Sequence, residues 1–195
     1  MKQFNLIAAI LFLLGLNAFA QDNYKMAAGK GKNMVKGTST LHDWRCVAEQ
    51  QGGNAVINTD GTFEIKSLNA RIVAKSLRSV KENGSYYDEA MDKNTHKALK
   101  ADQFPEIVYT LISASNIKSA GNTTTFTAQG HLTIAGKTNK VTFPVKAVQA
   151  GNAITFTGVV PFKLTAFGIT PPKALMGTVK TGDDVTVVLN ATYVK

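Results

Sequence analysis

From Thr123 to Tyr193 the chain alternates apolar or small residues with polar ones at a period of two. Phe126, Ala128, Gly130, Leu132 and Ile134 form one such set, and Val141, Phe143, Val145 and Ala147 the next. Ile154, Phe156, Gly158 and Val160 follow, then Val185, Val187, Leu189, Ala191 and Tyr193. Strand side chains point to opposite faces in turn, so each set predicts a strand with one buried and one wet face. The intervening AGKTNK and AGNA segments are short and rich in turn residues, as antiparallel hairpins require. The pattern is that of an all-β meander.

Upstream, residues 33–75 read as further strands: MVKGTSTLHDWRCVA, GGNAVIN and GTFEIKSLNARIVA. Gly52-Gly53 and Asp60-Gly61 supply hairpin signals between them. Residues 85–103 depart from the period of two. There Tyr87, Ala90, Met91, Ala98 and Leu99 recur at helical spacing, with Thr95 between. Ser85 is the expected N-cap, Asp88 and Glu89 suit the first turn, and Pro105 is the expected terminator. A lone amphipathic helix must bury its stripe, so it is expected to pack over a β-barrel and cover one mouth.

Residues 1–20 carry Lys2, an apolar run and the small-residue ending Ala18-Phe19-Ala20. The run is shorter than the roughly 20 apolar residues of a spanning helix, and it reads as a secretory signal cleaved after Ala20. Residues 21–195 then form one domain of ordinary size. The single cysteine, Cys46, excludes an internal disulfide and reads as a small buried hydrophobe. Lysine and arginine total 22 against 13 acidic residues, a net charge of +9 that falls by one when Lys2 leaves. The lysines are dispersed and lack interleaved aromatics. A solvated basic surface, with at most transient membrane contact and no nucleic acid, is the expectation.

The sequence displays no assembled catalytic motif. His42, His96 and His131 match no metal spacing. His42 reads as a hydrogen-bonded residue fixing a turn near Trp44, and the other two as surface residues. No G-x-S-x-G occurs, and Asp183-Asp184 reads as a turn before the last strand. A barrel of about eight strands is just wide enough to fill with side chains or to hold one small ligand. Small residues on the apolar register (Ala128, Gly130, Ala147, Gly158 and Ala191) either leave room for a ligand or permit strand bending and close contact. Periodicity alone leaves both open.

GTSTLHDW at 37–44, KALKADQFPEIVYTL at 97–111, GHLTIAGKTNKVTFPV at 130–145 and the segment FKLTAFGITPPKALMGTVKTGDDVTVVLNATY at 162–193 resemble the YceI family in order and spacing. The resemblance implies an extended lipocalin-like antiparallel barrel with one helix packed over it. It further implies a periplasmic or secreted protein that holds a long isoprenoid or other amphiphilic chain. With no catalytic machinery in the sequence, the protein is expected not to be an enzyme, and to be a monomer or homodimer. No cofactor is implied beyond a bound isoprenoid lipid or quinone as ligand. Alternation then nominates Trp44, Phe63, Ile65, Phe126, Leu132, Phe143, Phe156 and Phe167 as tunnel-lining residues. The alternatives are a cell-envelope interaction module with a filled barrel, and an enzyme with an acid/base pair at the mouth.

Overall fold

The computed structural model describes residues 22–195, so the leader expected at 1–20 lies outside the described residues. Twelve strands follow in chain order: β1 (Asp22–Met26), β2 (Met34–Ser39), β3 (Trp44–Ala48), β4 (Gln51–Asn58), β5 (Glu64–Val73), β6 (Leu77–Ser79), β7 (Glu106–Ala120), β8 (Thr123–Ile134), β9 (Lys137–Ala150), β10 (Ala153–Lys163), β11 (Lys173–Ala174) and β12 (Val179–Val194). Eight of them close an antiparallel barrel in the order β1-β4-β5-β7-β8-β9-β10-β12. Closure is made where β12 returns to β1, with Lys25 opposite Val194 and Met26 opposite Tyr193. The first half of β12 also pairs with β2, which continues through β3 to β6 as an annex beyond the barrel wall.

The meander has the predicted turns. Ala135 and Gly136 both have positive φ, 49° and 78°, the conformation of a two-residue type I′ hairpin. That turn holds β8 and β9 in unbroken register from Ile134↔Lys137 to Thr123↔Val148. The Gly52-Gly53 hairpin is not formed: both residues lie inside β4, and the β3–β4 connection falls at Glu49-Gln50. A Cβ at Gly53 would collide with the Asn69 carbonyl oxygen and approach the Tyr193 hydroxyl to 2.8 Å. Close backbone approach, not a turn, explains this glycine. Asp183 and Asp184 likewise sit within β12, at its irregular pairing with β2. Asp183 accepts hydrogen bonds from the Thr165 amide and hydroxyl, and Asp184 pairs with Lys163 at 2.8 Å.

The helix α1 spans Glu89–Ala98, shorter than the periodicity predicts. Its N-cap is Asp88, whose carboxylate accepts from the Ala90 amide at 2.9 Å, and not Ser85. A bridge between Val80 and Tyr86 keeps the preceding chain extended, so helical geometry cannot start earlier. At the other end Lys100 takes a φ of 52°, with Lys100 N–H donating to Lys97 and Ala101 N–H to His96. Those two bonds make a Schellman stop, and the helix ends well before Pro105.

Candidate functional site

The inward registers of the strands meet around an elongated cavity of about 490 Å³. This lies within the range of small-molecule ligand sites. On β12 the lining runs through Val179, Thr181, Val185, Val187, Leu189, Ala191 and Tyr193, alternate positions that omit only Asp183. Phe126, Ala128, Leu132 and Ile134 of β8 and Val141, Phe143 and Val145 of β9 follow the same rule. On β5 the lining passes from Ile65 to Leu68, Ala70 and Ile72. The switch from odd to even positions comes from a bulge that opposes Ile57 to Ile65 but Val56 to Ser67. An extra residue reverses which positions face inward.

Aromatic residues close the inner end. Ring centroids are 6.2 Å apart for Phe63 and Phe126, 6.4 Å for Phe126 and Phe156, and 5.6 Å for Phe156 and Tyr193. The Tyr193 hydroxyl donates to the Asn69 carbonyl at 2.8 Å, so this floor carries no unmet polar demand.

The other end lies under α1, which turns Ala90, Met91, Asn94, Thr95, Ala98 and Leu99 towards the cavity. The Thr95 hydroxyl donates back to the Met91 carbonyl, which removes it as a free polar group. Cys46 is 1% exposed beneath the helix, and burial pushes its thiol up to about 12. Leu41, His42, Tyr87, Pro172 and Lys173 mark the mouth. The two mouth loops are joined where Thr40 N–H donates to Lys180 and the Thr40 hydroxyl to Thr178. His42 ties the β2–β3 turn to the helix lead-in: Nδ1 lies 2.8 Å from the Asp43 carbonyl and Nε2 2.9 Å from the Tyr87 hydroxyl. With Nδ1–H donating to the carbonyl, Nε2 of a neutral ring accepts from the tyrosine. The charged residues lining the cavity are Asp88 and Lys173, and Asp88 is engaged as the helix cap.

Of the eight nominated positions, Trp44, Ile65, Phe126, Leu132, Phe143 and Phe156 line this cavity. Phe63 does not. It precedes β5, packs behind Phe126 and borders a separate space of about 80 Å³ with Ala147 and Ile154. Phe167 is also off the lining, 2% exposed behind Phe162 at a ring separation of 5.1 Å. Among the small residues, Ala128 and Ala191 border the cavity. The room at Gly130 is taken by the Tyr109 ring, which would stand 2.5 Å from a Cβ there. At Gly158 the Pro144 carbonyl approaches to 2.8 Å. The nominations omit Tyr109 and the helix face; the 3.6-residue stripe signals the latter but not what it covers.

Among the described residues no three His, Cys, Asp or Glu side chains are grouped to hold a metal, and no helix is long and apolar enough to cross a membrane. The closed barrel, its apolar interior and its covering helix define a lipocalin-like barrel built around an internal cavity. Residues 31–193 match the YceI-like domain, and the chain belongs to that family. None of the curated proteins matches it significantly. Among solved structures it is similar to Burkholderia cenocepacia BcnA, with a TM-score of 0.68 and 20% identity over 86% of this chain and 98% of that one. A polyisoprenoid-binding domain from Saccharophagus degradans, implicated in plant cell wall breakdown, gives 0.65 and 10% over 88% and 97%. The Campylobacter jejuni YceI protein gives 0.56 and 17% over 76% and 82%.

Proposed function

We propose that this protein is an exported binding protein, not an enzyme, that holds a long isoprenoid or other amphiphilic chain in its barrel cavity. It acts as a carrier or sequestering protein of the cell envelope, after residues 1–20 have directed its export. The observation that carries this reading is the elongated apolar cavity with an aromatic floor and a mouth lined by Leu41, Tyr87 and Lys173. A filled barrel serving only as an interaction module would leave no such space. Membership of the YceI-like family and likeness to a polyisoprenoid-binding domain support the same reading. Isoprenoid quinones belong to the ligand class.

The chemistry needs few polar contacts. Each buried methylene contributes about 0.8 kcal/mol, and a chain of a dozen or more carbons offsets the cost of its own immobilisation. Polar groups then matter at the mouth, where Lys173 is the basic residue on the lining. The surrounding exposed Leu41 and Met176 favour transient contact with a membrane surface during loading.

The test is to fill the cavity without disturbing its wall. Val187 lines the cavity and is only partly buried. Val187→Phe is expected to keep the wild-type melting temperature to within a few degrees and to lose uptake of added polyprenol or isoprenoid quinone at least tenfold. A folded Val187→Phe protein that takes up both ligands as the wild type does would contradict the reading.

A further inference from the structure

Inward of Tyr87 at the mouth, Tyr109 and Tyr193 border the cavity, and their hydroxyls are placed in opposite circumstances. Tyr193 at the floor donates to the Asn69 carbonyl at 2.8 Å. Tyr109, on β7, has a buried hydroxyl oxygen that makes no hydrogen bond among the described residues. A buried hydroxyl without a partner costs free energy, and such groups are scarce in folded proteins.

The position of Tyr109 is well determined. It sits opposite Ala70 of β5 and Leu132 of β8, its ring packs over Gly130, and it lies 5.7 Å from the Phe143 ring. It also packs against both hydrophobic clusters of the molecule, the one around the aromatic floor and the one beneath α1. Tyr109 thus borders the cavity where the two clusters meet. Desolvation raises its pKa above the ordinary tyrosine value, so at neutral pH it remains an O–H donor.

We infer that Tyr109 is a specificity residue, and that the cavity's ligand carries a hydrogen-bond-accepting oxygen that lies beside it within the barrel. This rests on the binding reading above and narrows it. The ligand is an oxygen-bearing chain, a ketone, quinone, ether or ester, and not a pure hydrocarbon. A hydrocarbon leaves the already buried hydroxyl without a partner. An accepting oxygen supplies the missing bond, so discrimination arises from the gain with the right ligand.

The experiment compares heptadecane with heptadecanones bearing the carbonyl at carbon 2, 5 or 9. All four compete for one fluorescent long-chain probe on the wild type, Tyr109→Phe and Tyr193→Phe. The wild type is expected to bind its best ketone about 10-fold more tightly than the alkane. Tyr109→Phe removes one oxygen and leaves the ring over Gly130. It is expected to keep the alkane affinity, lose the ketone preference and melt no lower than the wild type. Tyr193→Phe, which breaks a formed bond, is expected to melt lower and keep the preference. Equal binding of alkane and every ketone by the wild type overturns the inference while leaving the binding reading intact. So does an unchanged preference in Tyr109→Phe. If no compound binds the wild type, the binding reading fails and the inference with it.

Discussion

At the inner end of the barrel, Phe126, Phe156 and Tyr193 step across the interior on strands that are themselves paired on both sides, with Phe63 packed behind Phe126. The opposite end is covered by a ten-residue helix and two loops. A helix of that length is marginal on its own, so tertiary contacts must hold it in place. Met91, Ala98 and Leu99 pack on the cluster beneath it, and the remaining contacts are polar. Asp92, 4% exposed, accepts from the Ser79 amide at 2.6 Å and pairs with Arg78 at 3.2 Å. The Ser79 hydroxyl donates to the Asp88 carbonyl, and His96 lies 3.0 Å from the Leu77 carbonyl. The helix is thus fastened to β6, a three-residue strand at the edge of the annex. The floor is built into the paired wall of the barrel, whereas the helix end is a cover attached at its edge.

The largest effect is expected at the floor. Phe156→Ala removes a 3%-exposed ring from the aromatic series and is expected to cost about 3–5 kcal/mol in equilibrium denaturation. A loss below 1 kcal/mol would remove the floor from its stabilising role.

Asp92→Ala addresses the other end and is expected to cost about 2 kcal/mol, the scale of hydrogen bonds to a charged group. Its signature should be local, with faster amide exchange in α1 and β6 and little change in the β8–β10 amides. Cys46 gives an independent readout, because its sulfur lies 4.0 Å from the Thr95 hydroxyl under the helix. The thiolate is the reactive form, and with the thiol raised to about 12 by burial, wild-type alkylation at pH 8 should be very slow. Asp92→Ala should accelerate it well ahead of global unfolding. The same shift makes a prediction in alkali. The thiol's contribution to stability is complete below its ordinary value of 9.0 and is lost as pH rises from there to about 12, because the unfolded chain ionises first.

Lys100→Gly is the smallest change. Lys100 holds the left-handed position of the helix stop at a φ of 52°, which glycine adopts without steric cost. A gain of roughly 0.5–1 kcal/mol is expected, with no effect on ligand uptake. A loss of stability would mean that the lysine side chain, and not its backbone geometry, matters there.

The β8–β10 meander was legible in the sequence because strict alternation and two-residue turns leave one register that buries every apolar face, and β12 because the same alternation runs along it. The cavity wall followed from the same alternation wherever no bulge intervened. Phe63 departs because it precedes β5, and Phe167 because it belongs to a short 3₁₀ turn that stacks against Phe162. The Ser85 cap failed because the bridge from Val80 to Tyr86 is a non-local contact, invisible to helical spacing. Gly52-Gly53 misled for a related reason, since Gly53 answers to Asn69 and Tyr193 across the barrel. The annex formed by β2, β3 and β6 depends on one long strand serving two sheet partners, which no local pattern encodes.

The central claim is that the cavity holds one long apolar chain. The decisive experiment is native mass spectrometry of the protein, purified without detergent and then extracted with solvent. A stoichiometric adduct is expected, with the extracted mass of a long oxygen-bearing isoprenoid or related amphiphile. An empty protein that also fails to take up added polyprenols and isoprenoid quinones would contradict it.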